Sequence, residues 1–496
     1  MSSETIFSPK TAWLVIVVFI LTACQSNAAA SRFQAPEQVS SQPGSSTQLD
    51  VPHSTERPIY EPGELVEYIA QAGDTLPALA TRFNTSVEEI REANPSIPET
   101  ATSMPPGMPM QIPIYYLPLW GSSYRIIPDS QFINGPSMTE FDTRGFLAAQ
   151  PGWISSYSEY AAGANRTTAE IVDLVALKFS VSPKILLALM EYQTGALSTP
   201  EPTEEARTYP LGYIARDRKG LYRQLIWTAN LLNNGYYPWR AGALTSIERQ
   251  DGQLMRFDPW LNAASVSLQN YFNTLLAGNE LDLAISSEGF GKTYTQVFGD
   301  PWLDETPHIP ASLEQPPLSL PFEPGSTWAY TGGPHTGWGV GEPSAALDFA
   351  PPAVASGCIP TNEWTTAIAD GVIVRSETGE IVLDLDGDGD ERTGWNIFYL
   401  HIATENRTPI GTIVQNGDPL GYPSCEGGTS NGTHIHIARK YNGEWIAADG
   451  VLAFNLEGWV AHNGDAPYQG TLTRLSQTVI ACVCSNQGSF IQAAER

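Results

Sequence analysis

Apolar positions along this chain change their spacing several times, and each change marks a boundary. Residues 11–23 (TAWLVIVVFILTA) form one unbroken apolar run. It is too short for a bilayer span of about 20 residues and suits the core of a signal peptide, assigned to residues 1–24. Residues 25–62 are rich in Ser, Gln, Pro and Ala with few large apolar side chains, so no core can form and a disordered tether is expected. In residues 63–116 the pattern becomes helical. Gly73-Asp74-Thr75 supplies a turn and an N-cap, and Leu76, Leu79, Ala80 and Phe83 then recur on one face. Thr85 or Ser86 caps a second helix bearing Val87, Ile90 and Ala93, which Asn94-Pro95 ends. Short flanking strands near Tyr68-Ile69 and Met110-Ile112 complete a βααβ module.

Residues 117–306 keep the helical spacing in TAEIVDLVALKF, SPKILLALMEYQTGAL, YRQLIWTANLLNNGYY and AASVSLQNYFNTLL, so this domain is expected to be mostly α-helical. Residues 307–325 (PHIPASLEQPPLSLPFEPG) read as a proline-rich linker. From 326 to 470 short alternating runs such as GVIVRS, GEIVLDLDG, NIFYLHIA and THIHIARKY, separated by Gly and Asp turns, predict an all-β domain. Residues 471–496 remain as a cysteine-containing tail. The expected fold class is multi-domain α+β.

Composition narrows the partners. A chain of 496 residues is long enough for roughly three cores. Its 53 acidic against 26 basic residues, a net charge of −27, exclude nucleic acid and attraction to anionic surfaces. A wall polymer would be held by hydrogen bonds and stacking instead. Nothing in the pattern asks for more than a monomer. Of five cysteines, Cys24 directly follows the apolar run, and LTAC resembles the bacterial lipobox. That resemblance implies export, a lipidated Cys24 as mature N-terminus and attachment to the membrane; an ordinary cleaved signal or an uncleaved anchor is the alternative. Cys358, Cys425, Cys482 and Cys484 are an even set with three possible pairings. Cys482 and Cys484 are close enough in sequence that each is expected to pair elsewhere, with a Cys₄ zinc cluster as the competing reading.

The βααβ stretch, with Tyr-x-x-x-x-Gly-Asp-Thr-Leu, then Asn-Pro, then Pro-Gly-x-x-x-x-Ile-Pro, resembles a LysM domain over nearly its whole length. The resemblance implies binding to N-acetylglucosamine-containing glycan such as peptidoglycan, by a groove near Gly73, Asp74, Thr75, Asn94 and Pro95. For Asp74 and Asn94 a role as turn and cap formers stands beside ligand contact. SVSPKILLALMEYQTGAL faintly resembles the helix of lysozyme-like lytic transglycosylases. The acid position there reads Gln193-Thr194-Gly195, and an amide cannot donate the proton that glycosidic cleavage needs. The helical domain is therefore expected to bind or space rather than catalyse, unless Glu191 serves as an acid.

The strongest chemistry lies in GTHIHIA. His434 and His436 are two apart in a predicted strand and so share a face, an arrangement that suits a metal. PHTGWGVGEPSAALDFA adds His335 and Asp348, and FYLHIA adds His401. Together these resemble the lysostaphin-type and β-lytic (LytM-like) zinc metallopeptidases of bacterial cell walls, over about residues 325–455. The resemblance implies His335, Asp348 and His436 as zinc ligands, and His401 and His434 as the catalytic pair. Most of that family places the Asp four positions after the first His; here thirteen separate them, as in the β-lytic branch, which cuts glycine-containing bonds. The combination implies an exported, LysM-targeted zinc endopeptidase acting on wall cross-links or stems. The competing function is a non-catalytic peptidoglycan-binding lipoprotein that activates or recruits another hydrolase. In DLDGDGDERTGW, Asp384, Asp386, Asp388 and Asp390 alternate like the start of a calcium loop, but the twelfth position is Trp395 and the flanks read as strands, so a calcium-stabilised hairpin tip and a solvated acidic turn both remain open. His308 and His462 read as ordinary loop histidines.

Overall fold

The computed structural model describes residues 57–303, 305–353, 355–484 and 486–495; the apolar run, Cys24 and nearly all of the tether lie outside the described residues. Strand β1 (Glu64–Ile69) pairs antiparallel with β2 (Pro109–Ile114), enclosing helices α1 (Leu76–Arg82) and α2 (Val87–Ala93). The helix starts follow from their caps. Thr75 Oγ1 accepts from the Ala78 N–H, and Ser86 forms a reciprocal capping box with Glu89. Tyr68, Leu79, Phe83, Ile90 and Ile112 fill the small core.

The middle region is mainly helical. Its principal helices are α3 (Thr168–Phe179), α4 (Pro183–Thr194), α5 (Leu221–Arg240) and α6 (Ala263–Leu275), interrupted by two short hairpins. α5 packs on α3 and α6. It presents Leu225, Ala229, Leu232 and Tyr236, at three- and four-residue spacing, to one core.

Beyond residue 326 the regular elements among the described residues are strands, apart from a single 3₁₀ turn at Gln487–Ser489. Those that matter for the site are β3 (Thr327–Thr336), β4 (Ser344–Ala350), β5 (Gly371–Glu377), β6 (Gly379–Asp384), β7 (Trp395–Ile402), β8 (Ile413–Val414), β9 (Ile435–Tyr441), β10 (Glu444–Ile446) and β11 (Phe490–Gln492). They form one antiparallel sheet in the order β8-β5-β6-β7-β9-β4-β3-β11, with β10 paired to β9. Successive side chains alternate between two apolar faces. Leu347, Phe349, Tyr399, Ile435 and Ile437 join the β domain's own core, whereas Ala346, Phe398, Leu400 and Ala438 join the core of the helical region.

Three expectations need correction. The linker is not free: Leu318, Leu320 and Phe322 are buried in the β core, and the Pro310 carbonyl accepts from Ser103 Oγ of the small module. Its apolar residues between the prolines supply the burial that a pure spacer lacks. Residues 471–496 are not a tail, because Thr471–Arg474 and Gln477–Ile480 make a hairpin in a second sheet and β11 pairs with the edge of β3. His308 is no ordinary loop histidine. It is 3% exposed, and its Nε2 lies 2.5 Å from Glu444 Oε2, which also accepts from Arg240 Nη2 (2.9 Å) and the Tyr236 hydroxyl (3.0 Å). Arg240 donates in addition to the Ala72 carbonyl, so one buried cluster ties small module, helices, linker and sheet together.

Candidate metal centre

Strand register assembles the site. His436 on β9 stands directly opposite Asp348 on β4, and His335 on β3 opposite Ala346, two positions along the same face of β4. His335 Nε2 lies 2.9 Å and His436 Nδ1 3.4 Å from the same oxygen, Asp348 Oδ1. One ligand atom from each residue falls within 4.8 Å of the others, and all three residues are buried. Thus stretches 13 and 88 residues apart converge.

The hydrogen bonds around the rings fix their tautomers. His436 Nε2 is 3.1 Å from the Gly337 carbonyl, which can only accept, so Nε2 carries the proton. The unprotonated Nδ1 then faces a carboxylate oxygen, two acceptors turned toward each other in a buried place. Such an arrangement calls for a cation between them, and two imidazoles plus one carboxylate is a donor set that zinc accepts. Burial alone would raise the Asp348 carboxyl, but His335 beside it outweighs that and holds it well below the usual range. Burial, then the neighbouring His335, lowers His436.

Two further imidazoles border this cluster. His434 Nδ1 donates to the Gly432 carbonyl at 2.8 Å, leaving Nε2 as an acceptor 3.8 Å from Asp348 Oδ2. His401 Nδ1 donates to the Glu426 carbonyl at 2.8 Å, which likewise frees its Nε2. The two rings are 4.4 Å apart. His401 closes β7 with φ of +70°, a backbone conformation uncommon for a side-chain-bearing residue. Burial, helped by His434, pushes its imidazole down to about 4, so it is neutral near pH 7.

All five residues line one cleft of about 1540 Å³. Residues 68–113 match the family model of the LysM domain, and residues 125–312 that of the LasA N-terminal domain. Protease LasA of Pseudomonas aeruginosa is 26% identical over 370 residues, 69% of this chain and 78% of that protein. The chain resembles a LysM-containing, LytM-like metallopeptidase. Among solved structures, the deep-sea M23 metalloprotease pseudoalterin is 26% identical, covering 34% of this chain and 96% of its own, with a TM-score of 0.29. The catalytic domain of lysostaphin from Staphylococcus simulans is 24% identical, covering 23% and 77%, with a TM-score of 0.17.

Several cleft features were not foreseen. Tyr468 stacks on the His335 ring at 4.0 Å, and Lys178, Phe179 and Tyr222 bring the helices to one wall. No motif marks Tyr468, whose partner is 133 positions earlier. A disulfide joins Cys358 to Cys425 and pins two cleft-lining loops, where Thr433 N donates to the Gly357 carbonyl at 3.1 Å. The other pair is Cys482–Cys484, against expectation: a turn at Val483-Cys484 brings their Cα atoms to 5.1 Å, within disulfide reach.

The remaining candidates divide. Glu191 accepts from the Leu197 N–H (2.7 Å), the Ser198 N–H (3.2 Å) and the Ser198 hydroxyl (2.6 Å), so its carboxylate is used in shaping a loop. Asp74 is 1% exposed and accepts from Tyr68, Gln71 and Arg82 within its own module; Asn94 bonds the Ile90 and Gln111 backbones. Thr75 is the α1 cap, Gly73 packs on the Arg240 side chain, and Pro95 is exposed. In the acidic turn Asp384, Asp386 and Asp388 converge within 4.8 Å, and burial with the nearby Asp384 pushes Asp386 up to about 6. Asp390 stands outside that set, paired with Arg392 at 2.6 Å.

Proposed function

We propose that the protein is an exported peptidoglycan hydrolase whose β domain is a zinc-dependent endopeptidase, cutting peptide cross-links or stems of the wall, and whose LysM module holds the glycan. The observation that carries the reading is the convergence of His335 Nε2, Asp348 Oδ1 and His436 Nδ1, with an acceptor-to-acceptor approach that a cation relieves. These three would hold the metal. Zinc, when bound, supplies Lewis-acid activation of water and of the scissile carbonyl.

The chain's own groups do the rest. His434 presents an unprotonated Nε2 on the cleft side of Asp348, suited to take a proton from the attacking water and return it to the leaving amine. The neutral His401, with Nδ1 engaged, also offers an acceptor, so it orients water rather than donating to an oxyanion. The carbonyls of Gly432 and Glu426 keep both rings in the productive tautomer. A glycan-binding module on the same chain raises the local concentration of wall peptide at the cleft. Lipidation of Cys24 would keep the enzyme at the cell envelope.

Digestion of purified wall by wild type and His434→Ala, with new ends read by mass spectrometry, tests this. New peptide amino termini from wild type alone, abolished by a zinc chelator, are expected. New reducing or anhydro-sugar ends that survive chelation would overturn the assignment.

A further inference from the structure

We propose that Asn230 and Asn234 of α5 are positioning residues for the metal centre, acting through the loop that joins β3 to β4. The inference rests on the zinc reading above. This loop, residues 337–343, lies between His335 and Asp348 and carries Gly337, whose carbonyl orients His436. Its tip has little side-chain burial to order it, since Val340 is 73% exposed. The two asparagines supply what burial does not. Asn230 Oδ1 accepts from the Val340 N–H at 2.7 Å, and Asn234 Oδ1 from the Glu342 N–H at 2.8 Å, while Asn234 Nδ2 donates to the Val340 carbonyl at 3.3 Å.

The geometry is that of a strand edge made from side chains. Residues i and i+4 of a helix are about 6 Å apart, close to the spacing of about 6.5 Å between alternate residues of an extended chain. Two amides one helical turn apart therefore meet two N–H groups two residues apart. Asn230 Nδ2 is itself held by the Ile226 carbonyl at 2.9 Å, which fixes the amide's rotation.

The same contact explains the glycines of GWGVGEP. Gly339 and Gly341 have φ of +84° and +94°, and a Cβ on either would collide with Asn230 Oδ1 or Asn234 Oδ1 respectively. Between the asparagines and the metal ligand the loop is tight. Trp338 packs edge-on against Phe179 and Phe398 with Lys178 over its ring, Thr336 Oγ1 donates to the Trp338 carbonyl, and Gly337 N donates to the Pro343 carbonyl at 2.9 Å. Fixing Val340 and Glu342 thus fixes the Gly337 carbonyl, and with it the ring of His436. The helical region thus acts on a metal ligand through this loop.

The test uses the full chain with Asn230→Leu, Asn234→Leu and their double variant, and with Asn230→Asp, which keeps the acceptor. Amide hydrogen exchange at Val340 and Glu342 reads the loop, and competition with a chromophoric chelator reads zinc affinity. Lost outer partners of metal-binding histidines weaken metal affinity roughly 10- to 100-fold, so about tenfold weaker zinc is expected for the double Leu variant, with faster exchange at both amides and Asn230→Asp within about twofold of wild type. If the double variant fails to fold, the single Leu variants carry the same comparison with smaller losses. Unchanged zinc affinity in variants with a loosened loop, unchanged exchange, or equal losses in Asn230→Leu and Asn230→Asp would overturn the inference while leaving the zinc reading intact. A wild type that takes up no zinc would overturn the zinc reading itself, and this inference with it.

Discussion

Replacing Glu444 by glutamine separates charge from shape at the cluster that joins the modules. Glu444 is on β10, and its Oε2 receives His308, Arg240 and Tyr236. Burial works against ionisation there, yet Arg240 and His308 overcome it and lower the carboxyl from 4.5 to about 2. A folded value below the unfolded one means the charged form stabilises the fold. That contribution is complete above pH 4.5 and is lost as pH falls through 2. The fall from 4.5 to about 2 corresponds to about 3 kcal/mol, of which about 2 kcal/mol is gone by pH 3. Glutamine keeps the size and one acceptor but does not titrate, and it leaves Arg240 with Asp129 at 3.9 Å as its remaining acidic partner. Urea unfolding of both proteins at pH 6 and pH 3 is the assay. Wild type should lead by about 3 kcal/mol at pH 6 and by about 1 kcal/mol at pH 3. The same gap at both pH values would refute the electrostatic account and leave only a packing effect.

Other outcomes follow from the site and its surroundings. Asp348→Asn should abolish stoichiometric zinc uptake measured by elemental analysis, because it removes the carboxylate that two imidazoles share. His434→Ala should keep zinc but lower the rate of wall-peptide cleavage by about 10²–10⁴-fold, the usual range for a lost acid–base group. Glu191→Ala should cost about 1 kcal/mol in thermal unfolding, from the unpaired amide of the buried Leu197, and leave peptide cleavage within twofold. Replacing Cys358 and Cys425 by serine should cost about 4 kcal/mol by loop-closure entropy for a separation of 67 residues, read as a lower Tm.

Local patterns carried much of this fold. The caps at Thr75 and Ser86 and the facing residues of α1 and α2 are set within seven positions of one another, where helical periodicity speaks directly. His434 and His436 could be placed from strand alternation, and His335 and Asp348 from a family likeness. What stayed hidden depends on contacts distant in sequence. His308 and Glu444 are 136 positions apart, and a histidine next to prolines looks like any loop histidine until its partner is known. Tyr468 and the Gly337 carbonyl carry no motif, because stacking and a backbone acceptor can be supplied by almost any residue type. The Cys482–Cys484 pairing was misjudged because separation along the chain says little about distance once a turn intervenes. The glycines at 339 and 341 were visible, but their reason lies on α5, over a hundred residues earlier.

Strand β11 has a consequence for self-association. Phe490–Gln492 hydrogen-bonds along Thr327–Ala329, so β11 covers the outer side of the first residues of the strand that ends in His335 and Thr336. A chain interrupted before residue 490 would expose a bare row of amides and carbonyls beside the apolar Trp328, an invitation to stick to its neighbours.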